Sequence, residues 1–228
     1  MLFDLRGRGR RRTVQTIYAS LAILMGGGLV LFGIGSNTGE GGILDAVVGE
    51  GGNNSSATET IDKRINTALA KTKATPTEPA PWAELARLRY QRANIDGLGP
   101  DDTTYTAKGK ERLGLATAAW ERYLALEPKN PDPGVARLMV NAYSASGVNE
   151  PAKAVSALQI VTAAEDPPSS NLYAQLAQLA YIARDNRTGD LAAERAVDLA
   201  EGDQKKTLRT QLESIKAQAA AQPATTTG

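Results

Sequence analysis

Residues 116 to 128 read "ATAAWERYLALEP", a short amphipathic stretch that stops at a proline. Ala116, Trp120 and Tyr123 are spaced by four and three, which puts their side chains on one helical face. A small residue followed by two large aromatic ones is a packing order. One helix cannot bury such a face alone, so the stretch predicts a partner helix nearby.

Composition points the same way. Phe occurs only at Phe3 and Phe32, so any later core must be built from Ala, Leu, Val, Ile, Tyr and Trp. Ala is the best helix former and is depleted from strands, which predicts an all-α fold. The chain has no Cys and no His. That removes thiolate and imidazole metal sites, disulfides, Cys nucleophiles and every Ser-His or Cys-His catalytic arrangement. An enzyme would have to rely on unaided Ser, Lys or carboxylates, so no activity, catalytic residue or cofactor is expected. Asp96, Asp101 and Asp102 cluster but do not follow a D-x-D-x-D-G loop, and Asp102 or Thr103 capping a following helix explains them without a metal. No Gly-rich phosphate loop follows a strand. Lys108, Lys110, Glu111 and Arg112 read as a solvated helix face.

The formal charge of +1 hides an asymmetry. Five arginines (Arg6, Arg8, Arg10, Arg11, Arg12) and Asp4 lie in the first twelve positions, and taking them from 26 basic and 25 acidic residues leaves 21 and 24. The remainder is mildly acidic, with no broad basic face for nucleic acid.

No charge occurs from Thr13 to Gly39, and Ile17 to Ile34 reads "IYASLAILMGGGLVLFGI". Its nine Leu, Ile, Val and Phe residues favour insertion into lipid by about 3 to 5 kcal/mol, and about 20 apolar residues of helix span the hydrocarbon. Residues 13–35 therefore read as a single transmembrane helix. The following "GSNTGEGG" offers a poor small-residue site for signal cleavage, and Arg11-Arg12 matches a twin-arginine signal only weakly. The arginines of residues 1–12 should stay cytoplasmic, leaving the rest of the chain extracytoplasmic. Ala22 and Gly26, four apart, would let two spans approach closely as a homodimer. Residues 36–56 read as a Gly-rich juxtamembrane linker.

Helical periodicity begins near Ser56. Ser56 and Glu59 have capping-box spacing, and Ile61, Ile65 and Leu69 recur every four residues, which predicts a helix from Ala57 to Lys73. A second helix is expected from Pro81, with Trp82, Leu85, Ala86 and Arg89 in register. "NIDGLGPDD" breaks the chain, and a long helix from Thr104 to Leu126 contains the opening stretch. Tyr105, in this insertion, is expected at the periphery.

Trp82-x-x-Leu85-Ala86 followed by Ala116-x-x-x-Trp120-x-x-Tyr123-x-x-x-x-Pro128 resembles the tetratricopeptide repeat, a 34-residue helix-turn-helix unit. On that resemblance Trp120 and Tyr123 are second-helix knobs packing on Trp82 and Leu85. Two weaker copies follow. One pairs Ala136, Met139, Val140 and Tyr143 with Ala154, Leu158 and Val161 across a turn at Gly147, with Pro167 beyond. The other pairs Tyr173, Leu176, Ala177 and Ala180 with Ala193, Val197 and Ala200 across a turn at Gly189. The first unit is about 18 residues longer than the family spacing. "KKTLRTQLESIKAQ" supplies a helix with Leu208, Leu212 and Ile215 on one side, as a capping helix should, so residues 57–216 read as one helical solenoid. Residues 217–228 read as a disordered tail.

The resemblance implies a concave face, built from the first helix of each unit, that binds protein or an extended peptide. The residues it puts there are Arg87, Tyr90 and Gln91, then Arg137, Asn141 and Ser144, then Asn171, Gln178 and Tyr181. In layout the chain is similar to the small single-span tetratricopeptide subunits that accompany bacterial secretion translocons and envelope chaperones. The contrasting expectation is a structural envelope protein that dimerises or spaces other components without binding clients.

Overall fold

The computed structural model describes residues 54–100 and 103–221. The basic stub, the apolar segment 13–35, nearly all of the Gly-rich linker and the last seven residues lie outside them. The described residues form an all-α structure of eight helices, α1 (Asn54–Ala74), α2 (Pro79–Asp96), α3 (Ala107–Leu124), α4 (Pro133–Ala142), α5 (Pro151–Ala164), α6 (Ser170–Ile182), α7 (Asn186–Leu199) and α8 (Gln204–Ala221). None of these is long and apolar enough to cross a membrane.

Local chemistry starts the helices. Proline stands in the first turn of α2, α4 and α5, where its fixed φ suits the helix and its missing N–H would have had no partner. Thr106, Asp132, Ser169 and Asp185 cap α3, α4, α6 and α7, each side chain accepting a backbone N–H of the first turn. Thr106, not Asp102 or Thr103, is thus the cap after the insertion, and α3 begins at Ala107. Ser56 is not a cap either, because α1 already runs from Asn54. At the other end α8 continues to Ala221, past the expected start of the tail. Its run of Gln and Ala keeps the propensity high.

The helices pack in chain order. Contact is most extensive between α2 and α3 and between α6 and α7, then between α1 and α2 and between α4 and α5. Further contacts join α2 to α4, α3 to α4, α5 to α6, and α8 to both α6 and α7, whereas the backbones of α4 and α6 do not approach closely. Every contact is therefore with a helix one or two places away. Trp120 and Tyr123 are buried with ring centroids 5.0 Å apart, in one core with the buried Leu85 and Ala116. Trp82 sits at the edge of that core, its Nε1 donating to the Pro76 carbonyl and its ring facing Arg122.

The insertion is more ordered than its Gly and Asp content implies. Leu98 and Tyr105 form an isolated antiparallel bridge, and Tyr105 is buried with its hydroxyl donating to Asn94. The start of α3 then presses on the end of α2. A Cβ at Gly109 would lie 2.1 Å from the Gly97 carbonyl oxygen, so only glycine permits the approach. The expected turn at Gly189 also moves. The connection is residues 183–185, and Gly189 lies inside α7, against the ring of Tyr181.

Candidate interaction surface

Arg87, on α2, is half-buried and donates to Asp132, the cap of α4, at 2.9 Å, with Glu84 a turn away at 3.6 Å. It ties the first hairpin to the second. Tyr90 is partly buried against the core, beside the Tyr105 hydroxyl. Gln91 is half-buried, and its side-chain oxygen has no hydrogen-bond partner.

On α4, Arg137 and Asn141 are exposed, one turn apart on one face, and Ser144 follows just beyond the helix, its hydroxyl paired with that of Ser146. Arg137 has only a loose ion pair, 3.9 Å from Glu165. On α6, Asn171 and Gln178 are exposed, two turns apart on one face. Four of the nine expected residues (Arg137, Asn141, Asn171 and Gln178) are thus exposed surface groups on α4 and α6. Those on α2 are instead partly taken into the fold.

Tyr181 is the exception. Only 3% exposed, it is a core residue of the α6–α7 hairpin, where the absent side chain of Gly189 makes room for its ring. Its hydroxyl donates to Asp190 at 2.9 Å, and Lys216 of α8 holds the same carboxylate at 2.6 Å. An aromatic residue near a helix end has the same sequence signature whether it faces solvent or a neighbouring hairpin, and the glycine eight residues on was the signal that separated the two.

A second network of this kind has no signature in the sequence. Tyr143, buried at the end of α4, donates to Glu121 of α3 at 3.1 Å, and Lys153 of α5 donates to the same oxygen at 2.7 Å. Burial pushes the Tyr143 hydroxyl well above the ordinary tyrosine range, and the Glu121 carboxylate adds to the shift. Tyr181 is raised for the same two reasons, burial first and Asp190 second. In turn Lys216 and the Tyr181 hydroxyl hold Asp190 below the usual carboxylate range. Both networks join successive helices, and neither presents an activated nucleophile.

Asp96 likewise has a structural role. It pairs with Arg92, Arg112 and Lys108, while Arg92, with a side chain only 10% exposed, also donates to Asp62 of α1 at 2.7 Å. This cluster fastens α1, α2 and α3 together. Arg112, expected on a solvated face, belongs to it.

Among the described residues, open grooves lie between helices. One of about 470 Å³ separates α6 from α8 and is lined by Asn171, Gln204, Thr207 and Gln211 over Ala174, Ala200 and Leu208. Of the expected residues Asn171 lines this groove, together with the carboxamides of Gln204 and Gln211 from the helix expected only to cap, and Tyr181 lines the groove between α7 and α8. A second groove of about 390 Å³ lies between α7 and α8, and a third of about 540 Å³ lies between α1 and α2. No family model, curated protein or solved structure matches the chain.

Proposed function

We propose that this is a membrane-anchored protein-interaction module: a single span over residues 13–35, a cytoplasmic basic stub, and an extracytoplasmic helical array of tetratricopeptide type that binds a partner polypeptide. The resembling layout points to an accessory or chaperone-like role in protein export or envelope assembly. The uncharged run with five arginines before it supports the span and its orientation. The packing of each helix on its neighbours one or two places away supports the repeat reading.

The observation that carries the binding function is the set of exposed polar side chains on the first helices of the second and third hairpins: Asn141 on α4 and Asn171 and Gln178 on α6, beside Arg137, which is held only by Glu165 at 3.9 Å. Carboxamides both donate and accept, which matches the alternating N–H and C=O groups of an extended backbone. Because the side chains of Asn141 and Gln178 make no hydrogen bond or ion pair among the described residues, changing them should leave the fold intact. In affinity capture from membranes with a C-terminal tag, Asn141→Lys with Gln178→Lys should lose the co-purifying partner while the melting temperature stays within a few degrees of the parent. Undiminished capture by the folded double variant would remove this face from the function.

A further inference from the structure

We propose that the groove between α7 and α8 is a docking site for a basic, amphipathic segment of another protein, separate from the α4 and α6 face. Asp190, Glu194 and Asp198 recur every four residues along the α7 wall, and Glu213 faces them from α8. Like charges at this spacing on a helix repel each other, and the fold compensates for only part of the repulsion. Asp190 is held by Lys216 and Tyr181, whereas Glu194, Asp198 and Glu213 form no ion pair, although Arg209 also lines the groove. Four carboxylates thus meet two cations, one of them already committed to Asp190, and the groove keeps an uncompensated negative charge.

Its floor is apolar, formed by Ala193, Val197 and Leu212. Beside it on α7, Leu191 is 61% exposed, the most exposed large hydrophobic residue among those described, and shares a face with Glu194 and Asp198 three and seven residues on. Acidic groups around apolar surface call for a ligand carrying cations around an apolar side chain. A divalent cation is a poorer fit, since no group of three carboxylates among the described residues comes close enough to hold one. The volume of about 390 Å³ accepts side chains of a peptide and not a folded domain.

The test uses the full-length chain in detergent and two fluorescein-labelled hexapeptides, Lys-Leu-Lys-Lys-Leu-Lys and its Glu-for-Lys counterpart, with binding read by fluorescence anisotropy. The lysine peptide should bind, weaken by about tenfold or more as salt rises from about 0.05 to about 0.5 M, and lose at least about tenfold in affinity to the Glu194→Lys, Asp198→Lys variant. The glutamate peptide should show no saturable binding. Glu194→Gln with Asp198→Asn, which removes charge without changing shape, serves if the lysine variant fails to fold, and it should show the same loss. Asn141→Lys with Gln178→Lys should bind the lysine peptide as the parent does, so failure of the concave-face function and failure of this site can be told apart. Equal affinity of both peptides, equal affinity of parent and neutral variant, or no binding at all would overturn the proposal.

Discussion

Two glycines in helices set contrasting expectations at the scale of single residues. A Cβ at Gly189 would lie 2.5 Å from Cε1 of Tyr181, and the ring cannot withdraw because Asp190 and Lys216 hold its far end. Gly189→Ala should cost about 1–3 kcal/mol, the usual penalty for overpacking. Gly114, inside α3, has no atom within 4 Å of its absent Cβ, so Gly114→Ala should stabilise by about 0.5–1 kcal/mol. Urea denaturation of both variants checks the pair, and equal effects would mean that the Tyr181 contact is not tight. Tyr181 also shows where sequence legibility ends at this scale. Its burial depends on a gap left by a residue in the next helix, which helical periodicity cannot register. Conversely, Ala116, Trp120 and Tyr123 were legible because three residues on one face report a buried stripe without reference to the partner.

Elements depend on caps and on charges between helices. Asp132 accepts from the Val135 N–H and receives Arg87, so it starts α4 and anchors it to α2 at once. Asp132→Ala should cost about 1–2 kcal/mol, whereas Asp132→Asn keeps the cap and should lose less. Arg92→Ala, which removes the cation shared by the half-exposed Asp62 and by Asp96 but leaves Asp96 its pairs with Arg112 and Lys108, should cost about 1.5–3 kcal/mol. Thermal melts of the three variants rank these effects; an Asp132→Asn as damaging as Asp132→Ala would assign the effect to Arg87 and not to the cap. Legibility was partial here as well. Proline and Gly-rich breaks located the hairpins to within a few residues, but cap identity depended on where the chain turns: Thr106 caps α3 because its hydroxyl also donates to the Gly97 carbonyl at 3.0 Å. In the insertion, where Gly, Asp and Pro break the chain, Tyr105 reads in sequence as an isolated peripheral aromatic, and its burial has no local pattern to report it.

Across the whole molecule, the tyrosine networks make stability depend on alkali. Tyr105, Tyr143 and Tyr181 all have hydroxyls raised above the ordinary range, burial being the first cause in each. A raised folded value favours the neutral form, so this stability is intact below the unfolded tyrosine pKa, about 10, and is lost as pH rises through the folded values. The melting temperature should therefore show no tyrosine-linked change through neutrality and fall above about pH 10, and Tyr143→Phe should flatten that fall. An unchanged alkaline slope in Tyr143→Phe would mean that its hydroxyl is not protected in the fold. The order of hairpins was readable because each carries its own small-large face. The break between α4 and α6 was not, because which first helices approach closely depends on how successive hairpins rotate, and no local pattern encodes that. The same gap explains why the nine residues taken from the repeat resemblance do not converge on one pocket.

On the proposed reading, α4 and α6, the first helices of the second and third hairpins, meet the partner polypeptide through Asn141 and Gln178. Site-specific photocrosslinking of the full-length chain in cells tests it directly. A benzophenone amino acid placed at Asn141 or Gln178 should form a discrete adduct with another polypeptide, while the same probe at Glu111 of α3 or Gln159 of α5, both exposed, should not. Adducts confined to Glu111 or Gln159, with none at Asn141 and Gln178, would contradict the account.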